Sequence, residues 1–422
     1  MVLGQKDSRY KWIILAVCFV MIFVCLGFCS GAKSLFLAPV TAALKINRSL
    51  YALNDTFRNV ATAVVNLFFG TLLFRYGAKK MIFAGFVALI ASSLLFAKAT
   101  DAFTLCVSGS LLGVGLALTS TTIVSSIIRR WFTDNVGKYT GIVLAANGIG
   151  SAVAVQILSP VINDNANPYG YRNAYVLIAV FVAVAGIFVV PFLREKPKEI
   201  SLPQVKKTDR PSNNWTGFSY QQVIKMPSFY LTGITILFTG IVLQSLSGIY
   251  AAYLKDQGLK SEYIATVIST YCILLTASKV LVGILYDKFG LRTAILFCQI
   301  TAITGLLLML FINPSFPGML LAMVCGILLA FALPLETIAV PLITLDLFGT
   351  AAYDKILGLL MATNYAGYAL GSPIANLYYD AFGSYKPALL IFSLLIVLIL
   401  IAFQIVITYI RKEKSIIETS KQ

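Results

Sequence analysis

Between Trp12 and Ile410 the chain repeatedly runs for about twenty apolar residues before a turn, the length of helix that crosses a bilayer. No other feature restricts its fold so tightly. In hydrocarbon every backbone N–H and C=O must be satisfied inside the segment, so runs of this kind become helices packed on one another. They fall at 12–37, 50–74, 80–98, 103–128, 136–160, 172–193, 228–252, 262–286, 292–312, 318–345, 353–378 and 386–410. Twelve spans predict an all-α integral membrane protein. Composition agrees: 12% of residues are charged, about half of the roughly 25% usual in soluble domains.

A formal charge of +16 would suit nucleic acid if the basic residues formed one patch. Threaded through twelve spans, most of the 33 Lys and Arg residues instead fall on the side of the N-terminus, in alternate loops and the tail. The positive-inside rule then places both termini in the cytoplasm of a multi-pass plasma-membrane protein. The expected partners are the lipid bilayer and small solutes, with no nucleic acid. Met1 to Lys11 is short and leads into a span too long for a signal-peptide core, so span 1 reads as a retained anchor.

There is no histidine, which excludes histidine-dependent triads and histidine proton relays. The seven cysteines lie within spans without metal-ligand spacing and read as packing residues. No metal, cofactor or enzymatic activity is expected.

Most loops are short. The exception runs from Arg194 to Pro227, basic and interrupted by proline, with the composition of a linker. It divides the chain into an N-terminal six-helix half (1–193), a cytoplasmic linker (194–227) and a C-terminal six-helix half with a short cytoplasmic tail (228–422). The halves share a repeat. Gly70, Arg75 and Gly77 close span 2, and Gly283, Asp287, Gly290 and Arg292 close span 8, the glycines falling at matching intervals. Glycine permits the tight turn, and Asp287 is expected to bond backbone N–H groups at the start of the next helix.

Two such turns in two six-helix halves resemble the signature of the major facilitator superfamily. The resemblance implies the major facilitator fold, alternating access and a binding site at the interface of the halves near the bilayer middle. The first copy departs from the pattern, with Phe74 in the place of the family's aspartate.

Ionisable groups inside spans are candidate functional groups because burying a charge in a membrane is costly. Lys33 lies toward the outer end of span 1, where it either snorkels to the interface or faces inward. Arg58 in span 2 follows Asp55 by one helical turn, so it either pairs with that acid or meets a substrate. Lys279 lies roughly 12 Å before the turn at Asp287, counted at the helical rise, well inside the hydrocarbon. Glu336 in span 10 is expected at similar depth, between Pro334 and Pro341, which should kink the helix. A Lys279–Glu336 pair would relieve both charges. It is either purely structural, or an anion competes for the lysine while the desolvated carboxyl takes up a proton. Neutral groups available to hydrogen-bond a carboxylate include Tyr250, Asn364 and Tyr365.

A narrower resemblance follows from several of these positions. Lys33-Ser34 resembles the lysine–serine of the monocarboxylate transporters. Lys279 stands where those proteins and the oxalate–formate antiporters carry a carboxylate-binding arginine. Arg129-Arg130-Trp131-Phe132, Gly137-Lys138-Tyr139-Thr140-Gly141 and Tyr379-Asp380-Ala381-Phe382-Gly383 are similar to the same group. Two positions depart. Lysine offers a point charge in place of a planar fork, and Leu275 occupies the position of the proton-binding aspartate.

The resemblance implies a secondary transporter of a small organic anion. Lys33, Arg58 and Lys279 against Asp55 and Glu336 leave a surplus of one positive charge inside the spans, which points to a monocarboxylate taken up with a proton, and a monomer is expected. Lys279, Lys33, Arg58, Tyr250, Asn364 and Tyr365 would form the substrate site, and Glu336 and Lys33 would serve proton coupling. Anion exchange of the oxalate–formate kind is the alternative reading, and proton-driven efflux of amphipathic compounds a third.

Overall fold

The apolar runs become helices at the expected places. The computed structural model describes residues 5–31, 33–132, 134–162, 169–194 and 217–419. Residues 195–216 of the expected linker lie outside the described residues. Helix α1 (Gln5–Ile22) continues as a π-helix (Phe23–Gly31) and, past a short 3-10 turn (Lys33–Phe36), as α2 (Leu37–Leu44). Helix α3 (Arg48–Leu67) and the start of α4 (Phe69–Lys98) make span 2, and the rest of α4 makes span 3. Span 4 is α5 (Ala102–Thr119) with α6 (Thr121–Trp131), and spans 5 and 6 are α7 (Val136–Ile162) and α8 (Gly170–Phe192). After the short α9 (Tyr220–Val223), α10 (Pro227–Asp256) is span 7. Helix α11 (Ser261–Met309) carries spans 8 and 9. Span 10 is broken into α12 (Phe316–Ala332), α13 (Pro334–Thr337), α14 (Ala339–Ile343) and a π-helical turn (Thr344–Phe348). Helices α15 (Tyr353–Phe382) and α16 (Lys386–Thr419) complete the twelve.

The repeated turns share a backbone conformation. Gly77 inside α4 has φ 77° and ψ 160°, and Gly290 inside α11 has φ 80° and ψ 176°. Both lie in the positive-φ region where a side chain would be strained, which is why glycine stands at both.

Judged by length and hydropathy, nine helical stretches among the described residues could cross a membrane. One of them, Thr266–Met309, spans the Gly290 turn and holds two passes. Helices α3 and α15 fall outside that set although both run membrane length. The reason is their composition. Asn54, Arg58, Asn59, Thr62 and Asn66 on α3 and Asn364 on α15 are buried within the protein, so these helices bury polar residues inside the fold. They are the least lipid-like helices because they face the interior.

Proline explains the break in span 10. Pro334 has no N–H to give the Ala330 carbonyl one turn earlier. That carbonyl instead accepts from the Ser278 hydroxyl at 2.6 Å. The exchange ties α11, one residue before Lys279, to the break two residues before Glu336.

The halves meet along two seams. On the first, the small face of α7 lies on α11: a Cβ on Gly141 would sit 2.5 Å from the Lys279 carbonyl oxygen, and Gly137 packs on Gly283. On the second, a Cβ on Gly70 would meet the backbone of Lys355 on α15, and one on Gly358 would lie 2.5 Å from the Asn66 carbonyl. Glycine at such crossings lets backbones approach where no hydrophobic force draws helices together in lipid.

Candidate functional site

Between the halves lies a cavity of about 300 Å³. The N-terminal half contributes Ser30, Arg58, Asn59, Thr62 and Asn147, and the C-terminal half contributes Gln244, Tyr271, Lys279, Glu336, Thr337, Tyr365 and Tyr368. Three ionisable groups expected from sequence therefore reach one space: Arg58, Lys279 and Glu336.

They do not form the expected pair. Lys279 is 5% exposed, and its ammonium donates to the Leu144 carbonyl across the seam at 3.4 Å, with no carboxylate within 4.0 Å among the described residues. Glu336 is 3% exposed, and one of its carboxylate oxygens has no hydrogen-bond partner among the described residues. Tyr368 is its hydrogen-bonding neighbour. The Lys279–Glu336 pair is thus corrected to two separate groups lining one cavity. Counting residues along two helices gives similar depth but not the direction each side chain takes around its axis, and the breaks in span 10 reset that direction.

Arg58 is held by its own helix and by span 1. It stands 3.6 Å from Asp55, donates to Ser30 Oγ at 2.8 Å and approaches Asn59 Oδ1 at 3.4 Å. The local pair expected from the spacing is present, and Arg58 lines the cavity as well. The side chain of Lys33 lies outside the described residues.

The neutral candidates separate. Tyr365 lines the cavity. Asn364 is fully buried behind it, donating to the Glu336 backbone carbonyl at 3.1 Å, with its own Oδ1 unpartnered among the described residues. Tyr250 points elsewhere: its hydroxyl donates to the Ala322 carbonyl at 2.5 Å, tying α10 to α12 outside the cavity lining. Ser30, Asn59, Asn147, Tyr271 and Thr337 were not singled out by sequence. The available signal was a polar side chain interrupting an apolar run, as at Asn147.

The turns prove to join the halves. Asp287 accepts from the backbone N–H of Gly137 at 3.0 Å and of Lys138 at 2.7 Å. The helix it caps is α7 of the opposite half, rather than the following helix as expected. A carboxylate at a helix N-terminus satisfies orphan donors and opposes the positive end of the dipole. In the first copy Phe74 is 91% exposed and supplies no cap. There the link is made by Asp354, at the start of α15. It accepts from Arg130 at 2.6 Å and from the Ser126 hydroxyl, with Arg129 3.8 Å away and stacked 4.3 Å over the Tyr353 ring. Arg75 lies over the Tyr76 ring, and Arg292 donates to Gln404 at 2.8 Å.

Comparison with known proteins agrees with this architecture. The chain is 21% identical to the sialic acid transporter NanX of Escherichia coli (strain K12), over 65% of each chain. It is 24% identical to the hexuronate transporter of Bacillus subtilis (strain 168), over 50% of this chain and 49% of that one. It is 24% identical to monocarboxylate transporter 12 of Xenopus laevis, over 72% and 69%. The E. coli fucose:proton symporter FucP superposes with a TM-score of 0.72 at 14% identity, over 94% of this chain and 99% of that structure. The family model of the Major Facilitator Superfamily matches residues 15–275 and again 232–422. Twelve helices, two seams and a cavity between two halves place the chain in the Major Facilitator Superfamily, to which it belongs.

Proposed function

We propose that the protein is a secondary carrier of a carboxylate-bearing organic anion, working by alternating access and coupled to protons. The observation that carries this reading is Lys279, a cation buried in the central cavity whose contact is a backbone carbonyl and not an acid. A buried cation is stabilised by a counter-charge, and a substrate carboxylate would supply it. The named relatives support the chemistry. Sialic acids, hexuronates and monocarboxylates differ in size and hydroxylation, but each carries a carboxylate.

In this reading Lys279 anchors the carboxylate, and Arg58 adds positive potential from the opposite half. Tyr365 and Tyr368 border the bound anion, and Asn364 positions the Glu336 backbone. Glu336, hydrogen-bonded to Tyr368, takes up the transported proton from one side and releases it to the other, and Asp287 and Asp354 hold the halves together at the basic turns. The protein works as a monomer in the plasma membrane, both termini in the cytoplasm.

Purified protein in proteoliposomes tests it. Carboxylate uptake should be accelerated by an inward proton gradient, and Lys279→Gln should abolish binding while leaving the fold intact. Uptake indifferent to pH would remove the proton coupling, and undiminished affinity in Lys279→Gln would remove the assigned anchor.

Exchange of two anions is the second reading, favoured by the same separation of Lys279 from Glu336. An empty carrier would return with Lys279 uncompensated, which makes return with a second anion easier. Uptake that requires internal anion at equal pH on both sides would select it.

A further inference from the structure

A carboxylate on Lys279 accounts for only one end of the cavity. The volume of about 300 Å³ is room for roughly ten waters at about 30 Å³ each. It lies at the lower end of the roughly 300–1,000 Å³ typical of pockets that enclose a whole organic ligand. A three-carbon acid would occupy a small part of it.

The remaining walls are rich in neutral hydrogen-bonding groups supplied by both halves: Asn59, Asn147, Gln244, Ser247 and Thr337. Asn59 Oδ1 has Arg58 at 3.4 Å, but most of the others are not consumed by the fold. Among the described residues, Thr337 Oγ1 is buried with no partner, as is one oxygen of Glu336. Asn147 Oδ1 accepts a long 3.4 Å contact from Ser151, and Ser247 shares a 3.3 Å contact with Tyr271. Unpaired polar groups in a low-dielectric site cost free energy until a ligand satisfies them. A site of this kind selects for ligand hydroxyls, because an analogue without them leaves those groups unpaired.

The charges limit the ligand in the same way. Arg58 already has Asp55 at 3.6 Å, while among the described residues no acid stands within 4.0 Å of Lys279. Among the described cavity cations one is left to be balanced, which suits one carboxylate better than two.

We propose that the substrate is a sugar acid, a polyhydroxylated carboxylate of monosaccharide size with a single negative charge. Its carboxylate lies at Lys279 and its hydroxyls reach Asn147, Gln244, Asn59 and Thr337. The proposal rests on the carboxylate reading above and narrows it.

The test uses the full-length protein in detergent and in proteoliposomes. The probes are gluconate, glucuronate and N-acetylneuraminate as sugar acids, lactate and pyruvate as short acids, and glucose as a neutral sugar. At least one sugar acid should bind at least about a hundredfold more tightly than lactate or pyruvate, each satisfied polar group adding discrimination. Glucose should not bind. Short acids bound as tightly as every sugar acid would overturn this proposal and leave the carboxylate reading standing. Glucose bound where no carboxylate binds would overturn both. Asn147→Ala and Gln244→Ala should each weaken the preferred sugar acid about tenfold and weaken pyruvate, which has no hydroxyl, far less. Equal losses for both ligand classes, in variants of unchanged thermal midpoint, would contradict hydroxyl recognition.

Discussion

Pro334 shows how one missing hydrogen can organise a site. Its absent N–H frees the Ala330 carbonyl, and the Ser278 hydroxyl takes it. Ser278→Ala should therefore cost about 0.5–1.5 kcal/mol, the usual net worth of one hydrogen bond. The readout is the thermal midpoint in detergent. Pro334→Ala restores a donor at that position, so the penalty of Ser278→Ala should shrink in its background. A double-mutant cycle measures the difference, and strict additivity would show that the two residues are not coupled. At this scale sequence reading was uneven. The Asp55–Arg58 pair was legible because three residues on one helix turn have a fixed geometry. The partner of Lys279 was not, because Leu144 lies on another helix and contributes its backbone.

At the scale of the element, the α7–α11 seam is tight where its neighbour is backbone and forgiving where it is a side-chain tip. A Cβ at Gly141 would lie 2.5 Å from the Lys279 carbonyl oxygen, whereas at Gly148 it would meet the Thr276 hydroxyl, which can rotate away. Gly141→Ala should thus impair transport and lower the thermal midpoint more than Gly148→Ala does. The reverse order would mean that the seam has room to shift at Gly141. Element boundaries were largely readable: span 5, expected at 136–160, is Val136–Ile162, and span 11, expected at 353–378, is Tyr353–Phe382. Hydropathy alone loses α3 and α15, since a helix lining a polar cavity need not look like a membrane helix along its whole surface.

For the whole molecule, the two links at the basic turns are equivalent in place but different in chemistry. Asp287 caps a helix with two backbone N–H groups, and Asp354 gathers Arg129, Arg130 and the Ser126 hydroxyl. Both join the halves at the same face. Removing either should shift the population toward a state open there, tenfold for each 1.4 kcal/mol lost. The helix cap is worth about 0.3–2 kcal/mol by its dipole and geometry. Asp287→Asn and Asp354→Asn should each increase the accessibility of a cysteine placed at Leu144, buried in the cavity lining, to an impermeant maleimide. The double variant should increase it roughly by the product, since the links share no partner. Unchanged labelling in the double variant would show that neither acid holds this face closed.

The sequence by itself determined the membrane helices, their approximate ends and the repeated turns. These are local consequences: backbone in lipid must pair within its own segment, and the φ near 80° with extended ψ of the repeated turns calls for glycine at Gly77 and Gly290. Tertiary structure alone decided which partners the charges find on other helices. Lys279 reaches a carbonyl of the opposite half instead of Glu336, and Asp287 caps α7 instead of the helix that follows it. Depth along a helix can be counted from the chain, but the direction a side chain takes around the axis, and the helix it then faces, are settled only when all twelve pack together.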